Sequence, residues 1–213
     1  MVGAMGGLYS AILRLDPAAY LPYFATGMVL WAFIAAQLTE AASGFIQFEH
    51  AIRHVHIPLP AYLLRILLRN IIVLGHNSVI ILAALAFGTA GGAGGVLMAV
   101  PGLLILCCTL FGLSLIAAIA CTRYRDFTQV VTVGLQMMFF VTPILWPAES
   151  LGQYAWAVQI NPVFHLIEVV RAPLLGSMPA PASMVTAIVL CLMINTLAVW
   201  LFGRHHRRIV FWL

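Results

Sequence analysis

Residues 70–122 read NIIVLGHNSVIILAALAFGTAGGAGGVLMAVPGLLILCCTLFGLSLIAAIACT, 53 consecutive positions without an Asp, Glu, Lys or Arg. One helix crosses a ~30 Å hydrocarbon core with about 20 apolar residues, so this run is too long for a single crossing. It is interrupted at Gly88-Thr-Ala-Gly-Gly-Ala-Gly-Gly95, a cluster that favours turns over helix. The run therefore predicts a helical hairpin within a membrane. Further uncharged runs cover 17–39, 127–148 and 172–203. Across the chain 63% of residues are hydrophobic and 8% charged. A soluble domain carries about a quarter charged residues, which excludes that class.

These runs predict an all-α, polytopic transmembrane bundle forming one domain over 1–213. Five complete spans are expected at 20–42, 63–87, 96–121, 127–147 and 183–203. The uncharged start, residues 1–13, would cover only about 20 Å as a helix. It is read as the end of a first span that begins upstream, and it lacks the positive n-region and clean cleavage site of a signal peptide.

All ten bases are arginine. Eight of them, Arg53, Arg65, Arg69, Arg123, Arg125, Arg204, Arg207 and Arg208, fall at span ends that share one side, and only Arg14 and Arg171 fall on the other. The positive-inside rule makes the first side cytoplasmic and places the C-terminus there. Arg65 and Arg69 share a helix face near the membrane boundary, where they are expected to snorkel to the headgroups.

Two stretches are not simple spans. In 43–60, Phe45, Phe48, Ile52 and Val55 form one helical face, with Gln47, Glu49, His50, Arg53 and His54 on the others and Pro58 and Pro60 ending the helix. This predicts a cytoplasmic interfacial helix whose charged face either meets a soluble partner or anchors a loop. In 149–178, Asn161-Pro162 divides the segment, with Asn suited to cap a helix and Pro to its first turn. Two short outer helices that dip into the membrane and return are expected, the second carrying His165, Glu168 and Arg171 with an ion pair between the last two. Pro143 and Pro147 bracket the span before them, and Trp146 between them suits headgroup level. A gate-like kink and a plain helix end both fit that pattern.

The chemistry the chain lacks is informative. A P-loop needs a lysine to reach nucleotide phosphates, and there is none. Cys107, Cys108, Cys121 and Cys191 lie in predicted spans as small apolar residues. His50 and His54 at i, i+4 and the adjacent His205 and His206 fall short of a metal-ligand count, and no catalytic residue or resident cofactor is expected. His76, the deepest ionisable group, is read as a packing residue rather than a proton relay.

Taken in order along the chain, Tyr20-Leu-Pro-Tyr23, Gly27, Trp31, Arg123-Tyr-Arg-Asp126, Thr142-Pro-Ile-Leu-Trp146, Asn161-Pro162 and Arg171 resemble the membrane subunits of ABC-2 type exporters. The likeness is greatest to permeases that export polysaccharides such as O-antigen, capsule and teichoic acid. It extends from about residue 8 to the C-terminus. The resemblance implies six helices per subunit, a homodimer in the bacterial cytoplasmic membrane, two copies of a separate P-loop ATPase that binds the ATP, and a glycan or lipid-linked glycan as substrate, with no nucleic-acid partner. It implies that the helix at 44–57, with Glu49, His50, Arg53 and His54, contacts the ATPase; closure of the ATPase pair is expected to push on that helix and on the turn of Arg123, Arg125 and Asp126. It also implies an extracytoplasmic gate at 150–175, which holds Asn161, Pro162, Glu168 and Arg171; because sugar rings stack on aromatic faces, Phe139, Phe140, Tyr154 and Trp156 are expected to line the path, with Pro143 and Trp146 at its outer end. This chain departs from the pattern at its N-terminus, where relatives carry an interfacial helix and a full first span. A permease for a drug or small lipid and a membrane-embedded metal-dependent enzyme are the alternatives.

Overall fold

The computed structural model describes residues 6–8, 10, 16–54, 57–87, 93–147 and 156–213. The expected stub at 1–13, the loop at 88–92, Val55 and Tyr154 lie partly or wholly outside them. The described residues form helices and no strand: α1 Pro17–Ala42, α2 Gly44–Gln47, α3 Glu49–His54, α4 Leu59–Phe87, α5 Ala93–Arg123, α6 Phe127–Val141, α7 Trp156–Gln159, α8 Pro162–Leu174 and α9 Pro181–Trp212. Four of them, α1, α4, α5 and α9, are long and apolar enough to cross a membrane.

Helix starts follow their capping chemistry. The Asp16 side chain accepts from the Ala18 amide at 3.1 Å ahead of Pro17, leaving proline in the first turn where its missing N–H costs nothing. Pro60 does not end the interfacial segment but lies inside the first turn of α4, so that helix starts four residues earlier than expected. Gly94 and Gly95, assigned to a turn on composition, lie within the first turn of α5. The turn preference of glycine yields there to a packing requirement, since a Cβ on Gly95 would overlap the Pro173 carbonyl oxygen.

The expected span at 127–147 is corrected: α6 stops at Val141 after 15 residues, about 22 Å of helix. Pro143 is the reason. Its nitrogen cannot bond the Phe139 carbonyl, and its ring forces the preceding residue out of helical geometry; Thr142 accordingly has φ −87° and ψ 134°. The interfacial helix is likewise not continuous. It breaks at Phe48 into α2 and α3, with Phe45 fully buried and Phe48 and Ile52 packed behind it.

α1 is the centre of the bundle: 61% of its most apolar stretch is buried, against 11% for α9. Two cores stack along it. One joins Leu30, Phe33, Ile34, Leu106, Leu110, Ile144 and Ile167; the other joins Ala41, Phe45, Leu63, Ile66, Leu115, Ala118 and Ile209. The second core gathers the arginine-bearing ends of α3, α4, α5 and α9 at one end of the bundle. Ile72, Val79, Leu97, Leu104, Leu192 and Val199 are exposed, an apolar exterior suited to lipid.

Candidate functional site

At the end of the bundle opposite those arginines, the residues spaced widely in sequence converge on the irregular segment Thr142–Pro147. Where α6 stops, backbone carbonyls lose their helical partners, and at membrane depth each must be satisfied by protein. Tyr20 and Tyr23, three residues apart on α1, do this: the Tyr20 hydroxyl donates to the Leu145 carbonyl at 2.5 Å, and the Tyr23 hydroxyl lies 2.9 Å from the Pro143 carbonyl and 3.3 Å from that of Trp146. Gly27, four residues further along the same face, leaves room for the segment, since a Cβ there would sit 3.4 Å from Ile144 and 3.7 Å from Arg171.

α8 supplies the rest. Asn161 caps it, its side-chain oxygen accepting from the Val163 and Phe164 amides at 2.9 and 3.4 Å, with Pro162 in the first turn as the sequence predicts. The Asn161 amide also donates to the Thr142 hydroxyl at 2.9 Å, tying the start of α8 to the end of α6. Gly176 at φ 82° closes the other end, a left-handed position that glycine adopts without strain. Arg171 is 2% exposed. Its guanidinium donates twice to one Glu168 oxygen, at 2.7 and 3.1 Å, and once to the Pro143 carbonyl at 3.0 Å. Its carbon lies 4.0 Å above the Tyr23 ring, a cation–π distance. His165, six residues earlier on α8, is also buried, its Nε2 donating to the Gln159 carbonyl at 2.8 Å and its Nδ1 lying 3.0 Å from the Ser183 hydroxyl. It ties α7, α8 and α9 together.

The other expected path residues sit differently. Phe139 packs 5.7 Å from Trp31 and Phe140 is mostly exposed. With Thr39, Thr132 and Gln136 they border an open groove of about 460 Å³ between α1 and α6. Trp146 contributes its carbonyl to the hub, and Trp156 is exposed on α7.

At the arginine-rich end, Glu49 and Arg53 pair at 2.9 Å on the exposed face of α3, and the His50 and His54 rings lie 4.3 Å apart. Arg123, Arg125 and Asp126 are exposed at the tight turn between α5 and α6. Arg65 lies over the Phe48 ring. Arg69 does not simply snorkel, because it pairs with Glu40 across α1. Behind that pair runs a buried chain: Asn70 donates to Glu40 and Gln37, and Gln37 donates to Ser114, at 2.9–3.0 Å. It fastens α1, α4 and α5 just before the interfacial segment. Asn70 and Ser114 were not anticipated from the sequence, since a lone polar residue in an apolar span shows no partner until the helices are placed. Among the described residues no three His, Cys, Asp or Glu side chains are close enough to hold a metal ion, and His76 is exposed, bonded only to its own helix.

Apolar spanning helices, a non-helical segment held within the bundle and a charged interfacial hairpin describe a multi-pass membrane protein of the transporter class. Residues 3–175 match the family model of the ABC-2 type transporter, and the chain belongs to that family. It is similar to two O-antigen export system permease proteins RfbA of Klebsiella pneumoniae, at 22% and 23% identity over 165 residues, 75% of this chain and 62% of each relative. The chain thus spans less than two thirds of the length of the curated relatives it matches.

Proposed function

We infer that the chain is the membrane subunit of an ABC exporter that moves a polysaccharide or lipid-linked glycan across the bacterial cytoplasmic membrane, driven by a separate ATPase. The observation that carries this reading is the groove between α1 and α6. Thr39, Thr132 and Gln136 would be poorly placed against lipid, where exposed polar side chains turn to a bundle interior or a wet cavity. No residue of α6 is buried. A second copy of the chain facing this side would enclose a passage in which Trp31, Phe139 and Phe140 offer ring faces to sugars and the hydroxyl and amide groups offer hydrogen bonds. The RfbA relatives, named as O-antigen permeases, support a glycan cargo. The arginine bias supports an orientation with the α3 end and the C-terminus inside.

The Gln136→Leu/Phe140→Ala double variant, co-expressed with the ATPase, should lower surface glycan at least fivefold while the ATPase still co-purifies. Unchanged export would sink the groove assignment.

Mechanistically, closure of the paired ATPases presses on α3 and on the Arg123–Asp126 turn. The Gln37–Asn70–Glu40 chain passes that displacement to α1, whose far end holds the Thr142–Pro147 segment through Tyr20 and Tyr23. Exchanging the charges of the exposed pair, Glu49→Arg with Arg53→Glu, keeps a pair within α3 but inverts the surface presented. ATP hydrolysis should persist while export falls about tenfold. Normal export by that variant would remove α3 from the coupling route.

A further inference from the structure

α9 has 32 residues, about 48 Å of helix against a hydrocarbon core of ~30 Å. Its last turns therefore run on into the headgroup layer, and there lie Arg204, His205, His206, Arg207 and Arg208. The end of α5 packs beside them. Between the two helices is a cleft of about 340 Å³ whose lining includes Arg123, His205, Arg208 and Trp212 together with the apolar Ile116 and Leu201. The Arg123 guanidinium lies 5.0 Å from the Trp212 ring and 5.6 Å from the Tyr124 ring, so aromatic faces hold it and its N–H edge is not engaged by a carboxylate. The ion pairs among the described residues are Arg53–Glu49, Arg69–Glu40 and Arg171–Glu168, none of which involves a residue lining this cleft. Asp126, the acid nearest in sequence, borders a different groove beside Arg125 and Gln129.

We propose that this cleft binds an anionic phospholipid of the adjoining leaflet, its phosphate between Arg123 and Arg208 and one acyl chain along Ile116 and Leu201. Charge complementarity selects the headgroup: three basic side chains and no acid border the cleft, the pattern by which basic pockets between spanning helices take anionic lipids. Depth selects a lipid over a soluble anion, because the cation pair opens directly onto apolar helix surface. Phe211, 87% exposed one residue before Trp212, gives the same turn an aromatic anchor at headgroup level. This site needs neither the glycan cargo nor the ATPase of the export reading.

The full chain, exchanged into nanodiscs containing equal phosphatidylglycerol and phosphatidylcholine and then released into native mass spectrometry, should retain phosphatidylglycerol about tenfold over phosphatidylcholine. R123Q/R208Q should bring that ratio to within twofold of unity, whereas R204Q/R207Q, which removes the same charge outside the cleft, should keep most of it. R208Q alone, at an exposed position, should lower the ratio about threefold and carries the test if the double variant does not assemble. Equal retention of the two lipids by the unmodified chain overturns the proposal, as do equal losses from both double variants. Retention of inorganic phosphate without lipid preference also overturns it. So does intact lipid selectivity in R123Q/R208Q accompanied by loss of the co-purified ATPase, which would make the cleft a protein contact.

Discussion

Replacing Arg171 with leucine is expected to lower the thermal midpoint of the solubilised protein by roughly 10 °C and to abolish export. The guanidinium is 2% exposed and its partner Glu168 is 24% exposed. Removing one member of a buried pair strands the other charge, at about 3–5 kcal/mol. The Pro143 carbonyl would keep the Tyr23 hydroxyl as a donor, so the loss concentrates on Glu168 and on the face of Tyr23 that the guanidinium covers. Arg171→Lys should be intermediate: an ammonium keeps the charge but cannot reach Glu168 and Pro143 together through a planar fork. The informative variant is Arg171→Leu with Glu168→Leu. Apolar replacement of a whole buried pair is often close to neutral, so much of the midpoint should return. Export should not return, because the α8 contact to the Thr142–Pro147 segment through Pro143 is still missing. Tryptophan fluorescence during heating and surface glycan staining read the two effects separately. An unchanged midpoint in Arg171→Leu would show that Glu168 finds water or another cation.

The features of this hub that the sequence displayed were those with local causes. Asn161-Pro162 announced a capped helix start, and Glu168 with Arg171 announced an ion pair, because each rests on residues within one turn. Which face of each span turns inward was not legible. In a soluble helix the apolar stripe marks the core, but here Leu30 is buried and Leu97 exposed with the same chemistry on either side, since lipid is as apolar as the interior. The convergence of Tyr20, Tyr23 and Gln37 with residues more than thirty positions away depends on that facing. A face could have been suspected for Tyr20, Tyr23, Gly27 and Trp31, which recur at intervals of three, four and four residues. The end of α6 at Val141 was legible in Pro143 but was outweighed by apolar residues that continue to Trp146.

Gly102→Ala, a single added methyl, is expected to disable the same hub from the opposite side of α8. A Cβ at Gly102 would overlap the Val169 carbonyl oxygen and stand 2.7 Å from its carbon and 3.2 Å from the Val170 nitrogen. These are backbone atoms, so no rotamer change relieves the clash. Small residues in membrane helices let backbones touch, with Cα–H···O contacts in place of side-chain packing. Gly95, seven residues earlier, makes the second such contact at Pro173, and Arg171 lies between the two points on α8. Displacing α8 by about 1 Å would stretch the Arg171 to Pro143 bond from 3.0 Å beyond hydrogen-bonding range. Overpacking of this kind costs about 1–3 kcal/mol or more, before the lost polar contacts are added. Gly75→Ala is the matched control, since a Cβ there meets nothing within 4 Å; its midpoint and export should equal those of the parent. If Gly102→Ala behaved like Gly75→Ala, α5 and α8 would be able to separate without disturbing Arg171, and the hub would not depend on close packing between them.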